Sequence, residues 1–236
     1  MPGEAAIEFF GLPGAGKTTL AVGLAKALTE RGFPCRPLLT DAGPPRRTAC
    51  ERIARQIKLL GICARFPRLS SAALAYALRI RPYRAERLSR VAFLLRLVAR
   101  AAARDTTSHD VIVADQGVLQ AIWSIGLFGS PPSARPLETL LRSVHKRYAP
   151  LVVVVEVTPA TAHARLVARP RQHSRLEELD SDEALARMSA SAHALETIVD
   201  AWLGPAIRVD NERAGVRPDE LGDLAARVQA AFRSCY

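Results

Sequence analysis

The sequence predicts a three-layer α/β domain, in which a mostly parallel five-stranded sheet carries helices on both faces. Segments typical of strands and helices alternate along most of the 236 residues, which favours parallel strands joined by helical crossovers. The run 152–155 consists of valines only, as expected for a central strand that is buried on both faces. We therefore expect a single domain over residues 1–236.

The order of the elements follows from the same patterns. The predicted strands are 5–10, 35–40, 111–115, 151–157 and 206–209. The predicted helices are 17–31, 48–60, 69–80, 84–105, 116–127, 136–147, 159–167, 182–202 and 217–233. Pro34 and Pro37 indicate that the second strand lies at an edge, because proline donates no hydrogen bond to a neighbouring strand. The interval before the third strand is too long for a simple crossover, so a helical subdomain is predicted at 44–108, with room for a second substrate.

A phosphate-binding loop is predicted between the first strand and the first helix, where residues 11–18 read G-x-x-x-x-G-K-T. Glycines let successive backbone N–H groups turn toward a phosphate chain, and the helix N-terminus that follows favours anions. The lysine of this motif reaches the β- and γ-phosphates, and its hydroxyl residue binds Mg²⁺. Only four of the 33 basic residues are lysines, and one of them is Lys17. The predicted nucleotide-binding residues are Gly11, Pro13, Gly14, Ala15, Gly16, Lys17, Thr18 and Thr19.

Two acidic residues follow predicted strands and are candidates for catalysis. Asp115 ends the third strand, where a carboxylate can hold Mg²⁺ together with Thr18; the alternative is a cap for helix 116–127. Asp41 ends the second strand and could accept the proton of a substrate hydroxyl; the alternative is a turn before Gly-Pro.

An arginine-rich segment at 165–178 is predicted to be a mobile lid that closes over a triphosphate. Arg169, Arg171 and Arg175 are its predicted catalytic residues, and the alternative is a solvated loop. Residues 210–213, which follow the last strand, could border an adenine pocket.

The charge of the chain raises a second class of ligand. A net charge of +10 and a pI near 10.2 favour polyanions, and arginines recur between Arg79 and Arg104. This Arg79–Arg104 field is predicted to be either an ordinary solvated helix face or an edge that binds nucleic acid. The cysteines show no metal or disulfide spacing, and no membrane span or signal peptide is evident, so a cytoplasmic protein is expected. The sequence leaves a homodimer open.

The motifs resemble those of the P-loop nucleoside and nucleotide kinases, and in particular thymidylate kinase. The resemblance rests on four blocks: residues 11–18, 40–44, 115–117 and 164–177. It implies a P-loop NTPase fold, ATP and Mg²⁺ as cofactors, and an arginine lid. It also implies that Asp41 lies near the phosphate acceptor.

One departure from that family bears on the acceptor. Thymidylate kinases follow the third-strand aspartate with an arginine that holds the acceptor's phosphate, whereas this chain has Gln116. A neutral hydroxyl compound such as a nucleoside, a sugar or a modified base is then favoured as acceptor.

The predicted function is an ATP-dependent phosphotransferase that moves the γ-phosphate to a hydroxyl or phosphate of a nucleoside-like, nucleotide-like or sugar molecule. Two alternatives stay open. One is a kinase acting on modified bases or ends in nucleic acid, and the other is a non-catalytic nucleotide switch. The sequence lacks the guanine-reading N-K-x-D motif that the switch would favour.

Overall fold

The computed structural model describes residues 6–39, 48–82, 84–102, 111–127, 129, 134–168, 179–213 and 218–235. The strands within them are β1 (Ala6–Gly11), β2 (Cys35–Leu38), β3 (Val111–Ala114), β4 (Leu151–Glu156) and β5 (Ala206–Asp210). The helices are α1 (Lys17–Glu30), α2 (Ala49–Arg65), α3 (Pro67–Arg79), α4 (Glu86–Ala102), α5 (Val118–Gly126), α6 (Ala134–His145), α7 (Pro159–Val167), α8 (Ser181–Asp200) and α9 (Pro218–Cys235).

The strands form one sheet in the order β2-β3-β1-β4-β5, and every neighbouring pair is parallel. The predicted central strand is confirmed, because β4 pairs on both sides and its residues Val152–Val155 are at most 2% exposed. The prediction that β2 lies at an edge is also confirmed. Proline is tolerated at an edge because its missing N–H can face the side that has no neighbouring strand.

Helices cover both faces of the sheet, which confirms the three-layer architecture. Helices α1 and α9 pack against each other, and α9 also contacts β4 and β5. A second group of helices is connected through α4, α5 and α8, with α3 and α6 packed against it. Buried apolar side chains of the strands and of both groups form a continuous hydrophobic cluster between these layers.

The helices α2, α3 and α4 occupy most of the predicted helical subdomain. Helix α2 begins at a capping box, in which Thr48 Oγ1 accepts from Glu51 N and Glu51 Oε2 accepts from Thr48 N. It was predicted to end at residue 60 but extends through Arg65, since Gly61 lies on an open side of the helix where a missing side chain costs little packing. The change of direction comes instead at Phe66, because Pro67 begins α3. Among the described helices, none combines the length and the apolar composition needed to cross a membrane.

Candidate active site

The P-loop connects β1 to α1 and depends on two glycines with positive φ. Gly14 has a φ of 88° and Gly16 a φ of 90°, in the left-handed region that other residues rarely adopt. A Cβ atom on Gly14 would lie 2.0 Å from the carbonyl oxygen of Ala162 on α7, so the loop also packs too closely for a side chain. At these two positions of the motif, the backbone conformation and the close packing both require glycine.

Lys17 lies at the first position of α1 and is only 8% exposed. Its ammonium group donates to the carbonyl oxygen of Gly11 at 2.9 Å and to that of Leu12 at 2.8 Å. These bonds hold the charge against the first residues of the loop, where it faces the same backbone that would surround a phosphate.

Thr18 and Asp115 meet although they lie on different elements. The hydroxyl group of Thr18 donates to Oδ2 of Asp115 at 2.8 Å, and Asp115 is 2% exposed whereas Thr18 is exposed. Asp115 does not cap α5, because the N-cap of that helix is Gly117. Helix α5 thus begins two residues later than predicted, and the carboxylate lies beside the P-loop instead.

The atoms of this pair fit a magnesium ion. Hydroxyl and carboxylate oxygens are ligands that Mg²⁺ prefers, and Mg²⁺ is usually held by one or two protein groups together with phosphates and water. The described residues contain no cluster of three or more His, Cys, Asp and Glu side chains that could hold a metal ion alone. The oxygen atoms of Thr18 and Asp115 therefore suit a magnesium site that is completed by the phosphates of a bound nucleotide.

The loop after β5 is attached to the P-loop. Asn211 donates through Nδ2 to the carbonyl oxygen of Ala15 at 2.7 Å. Arg165 donates to the carbonyl oxygens of Asn211, Glu212 and Arg213, at 2.8, 3.1 and 3.0 Å. Residues 211–213 and α7 therefore form one wall beside the P-loop, in the region where the sequence suggested a border for adenine.

Glu212 stabilises the same wall through hydrogen bonds to residues at the start of α7. Its carboxylate accepts from the backbone N–H of Thr158 at 2.6 Å and from the hydroxyl groups of Thr158 and Thr161. These donors, first the hydroxyl of Thr161 and then the groups of Thr158, lower the pKa of Glu212 from its ordinary value. The carboxylate joins the start of α7 to the β5–α9 loop.

Two side chains near the P-loop make contacts that the sequence did not predict. The side-chain carbonyl of Gln120, on α5, accepts from the backbone N–H of Gly11 at 3.4 Å. Arg165 was assigned to the lid, but it lies in α7, which extends through Val167, and its guanidinium group binds backbone carbonyls. Only the tertiary structure reveals such contacts, because a polar residue on a helix is ordinarily expected to face solvent.

Several predicted site residues lie outside the described residues. They are Asp41, Arg169, Arg171 and Arg175, and with them most of the predicted lid. Gln116 is described, and it is exposed next to Asp115.

The Arg79–Arg104 field is not continuous. Arg87 is 2% exposed and donates to the carbonyl oxygens of Ile80, Pro82 and Ile125, and its burial lowers its pKa. Arg79, Arg81 and Arg84 are exposed. Arg87 therefore connects the residues that follow α3 to Ile125 in α5. Because its side chain is buried, it does not contribute to a surface that could bind nucleic acid.

The P-loop, Asp115 and the 211–213 wall all follow the carboxyl ends of parallel strands, the edge at which open α/β sheets bind ligands. The chain has an α/β fold in which the P-loop motif connects the first strand of a parallel five-stranded sheet to the first helix. No protein-family model matches the sequence, and no curated protein matches it.

Several solved structures are similar to this chain. Deoxyadenosine kinase from M. mycoides with bound dATP is 14% identical, with a TM-score of 0.47, over 95% of this chain and 99% of its own. Shikimate kinase from Bacteroides thetaiotaomicron is 16% identical, with a TM-score of 0.47, over 97% of this chain and 98% of its own. The YorR protein of Bacillus subtilis, in complex with phosphorylated GDP, is 14% identical, with a TM-score of 0.49, over 98% of this chain and 99% of its own.

Proposed function

We propose that the protein transfers the γ-phosphoryl group of ATP to a hydroxyl group of a small molecule. The observation that carries this proposal is the Thr18–Asp115 contact directly beside Lys17, in a loop whose glycines adopt the required backbone conformation. Phosphoryl transfer depends on positioning and on charge stabilisation more than on special side chains, so this arrangement supplies much of what the reaction needs.

The P-loop binds the phosphates of the donor. Its backbone N–H groups surround the phosphate chain, and Lys17 adds a positive charge close to the β- and γ-phosphates. Thr18 and Asp115 would hold Mg²⁺, which would neutralise negative charge on the phosphates of the donor. Because Asp115 is buried, its carboxylate loses little rotational freedom when it binds the ion.

The nucleoside end of the donor lies against the wall formed by Arg165 and residues 211–213. Three hydrogen bonds to backbone carbonyl oxygens fix the plane of the Arg165 guanidinium group. A planar guanidinium group stacks well on an aromatic ring. The bond from Asn211 to Ala15 keeps this wall at a constant distance from the P-loop. The base of ATP would therefore bind to a surface that is already organised.

The acceptor side of the proposal rests on the sequence. Asp41 takes the proton of the acceptor hydroxyl as its oxygen bonds to the γ-phosphorus and the bond to the leaving ADP oxygen breaks. Arg169, Arg171 and Arg175 stabilise the charge on the transferred group. Exposed Gln116 next to Asp115 offers no positive charge to a phosphate, which favours a neutral acceptor such as a nucleoside or a sugar.

The decisive experiment is a transfer assay with γ-labelled ATP and Mg²⁺ against separate pools of nucleosides, nucleoside monophosphates, sugars, and modified DNA or RNA ends. Lys17→Ala is the blank for contaminating kinases. Label that moves to nucleosides or sugars supports the proposal and identifies the acceptor class. Label that moves only to monophosphates or nucleic acid contradicts the proposed acceptor, and the absence of transfer to every pool contradicts the kinase.

A further inference from the structure

Glu8 is a buried carboxylate in β1, and the mechanism proposed above does not use it. It is 5% exposed and lies three positions before Gly11, in register with Ala114 of β3 and Val152 of β4. A carboxylate at such a position is costly unless hydrogen bonds compensate its lost hydration. Its partners therefore indicate why this strand carries it.

Both carboxylate oxygens of Glu8 accept hydrogen bonds from other elements. Oε2 accepts from the backbone N–H of Val118 at 2.7 Å, and Oε1 accepts from the hydroxyl group of Tyr148 at 2.9 Å. Val118 is the first residue of α5, and the N-cap of that helix, Gly117, has no side chain to bond it. Glu8, which lies on a strand, thus caps the N-terminus of α5 in place of a residue of the helix itself. Negative charge is favoured at this end of a helix.

The contact between Glu8 and α5 explains why residue 117 is a glycine. Its φ of −141° is open to any residue, so backbone conformation does not require glycine. A Cβ atom at this position, however, would lie 1.9 Å from Cδ and Oε2 of Glu8. The glycine after Asp115-Gln116 leaves the space that the carboxylate occupies.

Glu8 consequently contacts the Asp115 turn at both of its ends. The backbone of Glu8 is in register with Ala114, immediately before Asp115, and its side chain binds Val118, three positions after Asp115. The same strand continues into the P-loop that carries Thr18. We propose that Glu8 is a positioning residue that sets the Asp115 carboxylate opposite Thr18, and so tunes the magnesium site. The magnesium part rests on the proposed function.

The first test needs no nucleotide and uses a double-mutant cycle. Glu8→Gln keeps the volume of the side chain and one acceptor oxygen, and Thr18→Val removes the hydroxyl that Asp115 binds. If Glu8 positions Asp115, Thr18→Val lowers the free energy of unfolding less in the Glu8→Gln background than in the wild type. Thr29→Val is the matched control, because the Thr29 hydroxyl donates to Ala25 O in the same helix. Effects that are additive in both pairs overturn the proposal.

The second test measures the gain in affinity that Mg²⁺ brings to a non-hydrolysable ATP analogue, by titration calorimetry. We expect Glu8→Gln to reduce this gain by roughly 10-fold, the lower range for groups that orient metal ligands, and to change the affinity without Mg²⁺ by less than about 2-fold. Tyr148→Phe removes the second donor to Glu8 and is expected to reduce the gain in the same direction. Tyr76→Phe is its matched control, since Tyr76 is a buried tyrosine on α3.

The results separate positioning from a merely structural role. A variant Glu8→Gln that is less stable but keeps the full gain from Mg²⁺ shows that Glu8 only caps α5, and the proposal is overturned. A wild-type protein that binds no analogue, or gains nothing from Mg²⁺, contradicts the proposed function instead. In that case the nucleotide-free cycle still decides whether Glu8 sets the Asp115 turn.

Discussion

The hydroxyl group of Thr18 lies 2.8 Å from Oδ2 of Asp115, across 97 positions of sequence. The contact arises because β1 and β3 are neighbours in a parallel sheet, so the residues that follow them emerge at the same edge. Two motifs that are separate in the sequence therefore bring a hydroxyl oxygen and a carboxylate oxygen together.

We expect Asp115→Asn to lower magnesium-dependent phosphoryl transfer by roughly 10²-fold or more, because an amide provides weaker charge stabilisation at the metal site. Thr18→Val removes the other ligand and is expected to act in the same direction. Steady-state kinetics over a range of Mg²⁺ concentrations measures both effects. Thr29→Val, in the last turn of the same helix, controls for the loss of a threonine hydroxyl, and an equal loss of turnover in this variant would point to damage of α1.

Lys17→Met is expected to lower turnover by roughly 10²-fold or more, since the buried ammonium group is held against the loop backbone by hydrogen bonds to the carbonyl oxygens of Gly11 and Leu12. Lys26→Met is the matched control in the same helix, where Lys26 is exposed and pairs with Glu30 at 3.8 Å. The kcat and KM of both variants are measured for ATP. If Lys17→Met and Lys26→Met had the same kinetics, Lys17 would have no role in transfer.

Arg165→Lys is expected to raise the KM for ATP by roughly 10-fold with a smaller change in kcat, because lysine cannot bind three carbonyl groups in one plane. Arg233→Lys, on the exposed side of α9, is the matched control. A change confined to kcat would contradict a role of Arg165 in binding the nucleoside. It would favour the sequence-based assignment of Arg165 to the lid.

Much of the fold could be predicted from local patterns. The run of valines at 152–155 identified β4, and the prolines around residue 35 placed β2 at an edge, because each reflects a constraint that acts within a few residues. The end of α2 was wrong for the converse reason. The helix was predicted to end at residue 60, whereas it continues past Gly61, where a missing side chain costs little packing, and ends at Phe66 and Pro67.

The site was predicted only where a motif defines it. The P-loop glycines and the end of β3 have recognisable sequence contexts, and the structure brings Lys17, Thr18 and Asp115 together. Glu8 and Gln120 have no such context, since their function in the fold comes from bonds to residues about 110 positions away. An isolated polar residue in a strand or helix does not reveal a partner at that distance in sequence.

Arg87→Leu is expected to lower the free energy of unfolding by about 3 kcal/mol, because it leaves the carbonyl oxygens of Ile80, Pro82 and Ile125 without this donor. Arg79→Leu, at an exposed position of α3, is the matched control and is expected to change stability by less than about 0.5 kcal/mol. Urea unfolding of the two variants measures the difference. Similar stabilities would show that Arg87 belongs to the solvated field after all.

The stability that Glu212 contributes is expected to depend on pH in one direction. Because folding lowers the pKa of Glu212, its contribution is fully present above the unfolded value of 4.5 and is lost as the pH falls through the lowered pKa. Glu212→Gln should therefore have a lower Tm than the wild type at pH 7, and the difference should shrink as the pH falls below about 4.5. Calorimetric scans from pH 7 to pH 3 measure this difference, with Glu138→Gln on the exposed side of α6 as the control. A Tm difference that stayed constant down to pH 3 would contradict this prediction. Thr158 and Thr161 would then bind the side chain at position 212 equally well whether or not it is charged. The negative charge of Glu212 would not be what stabilises the contact between α7 and the β5–α9 loop.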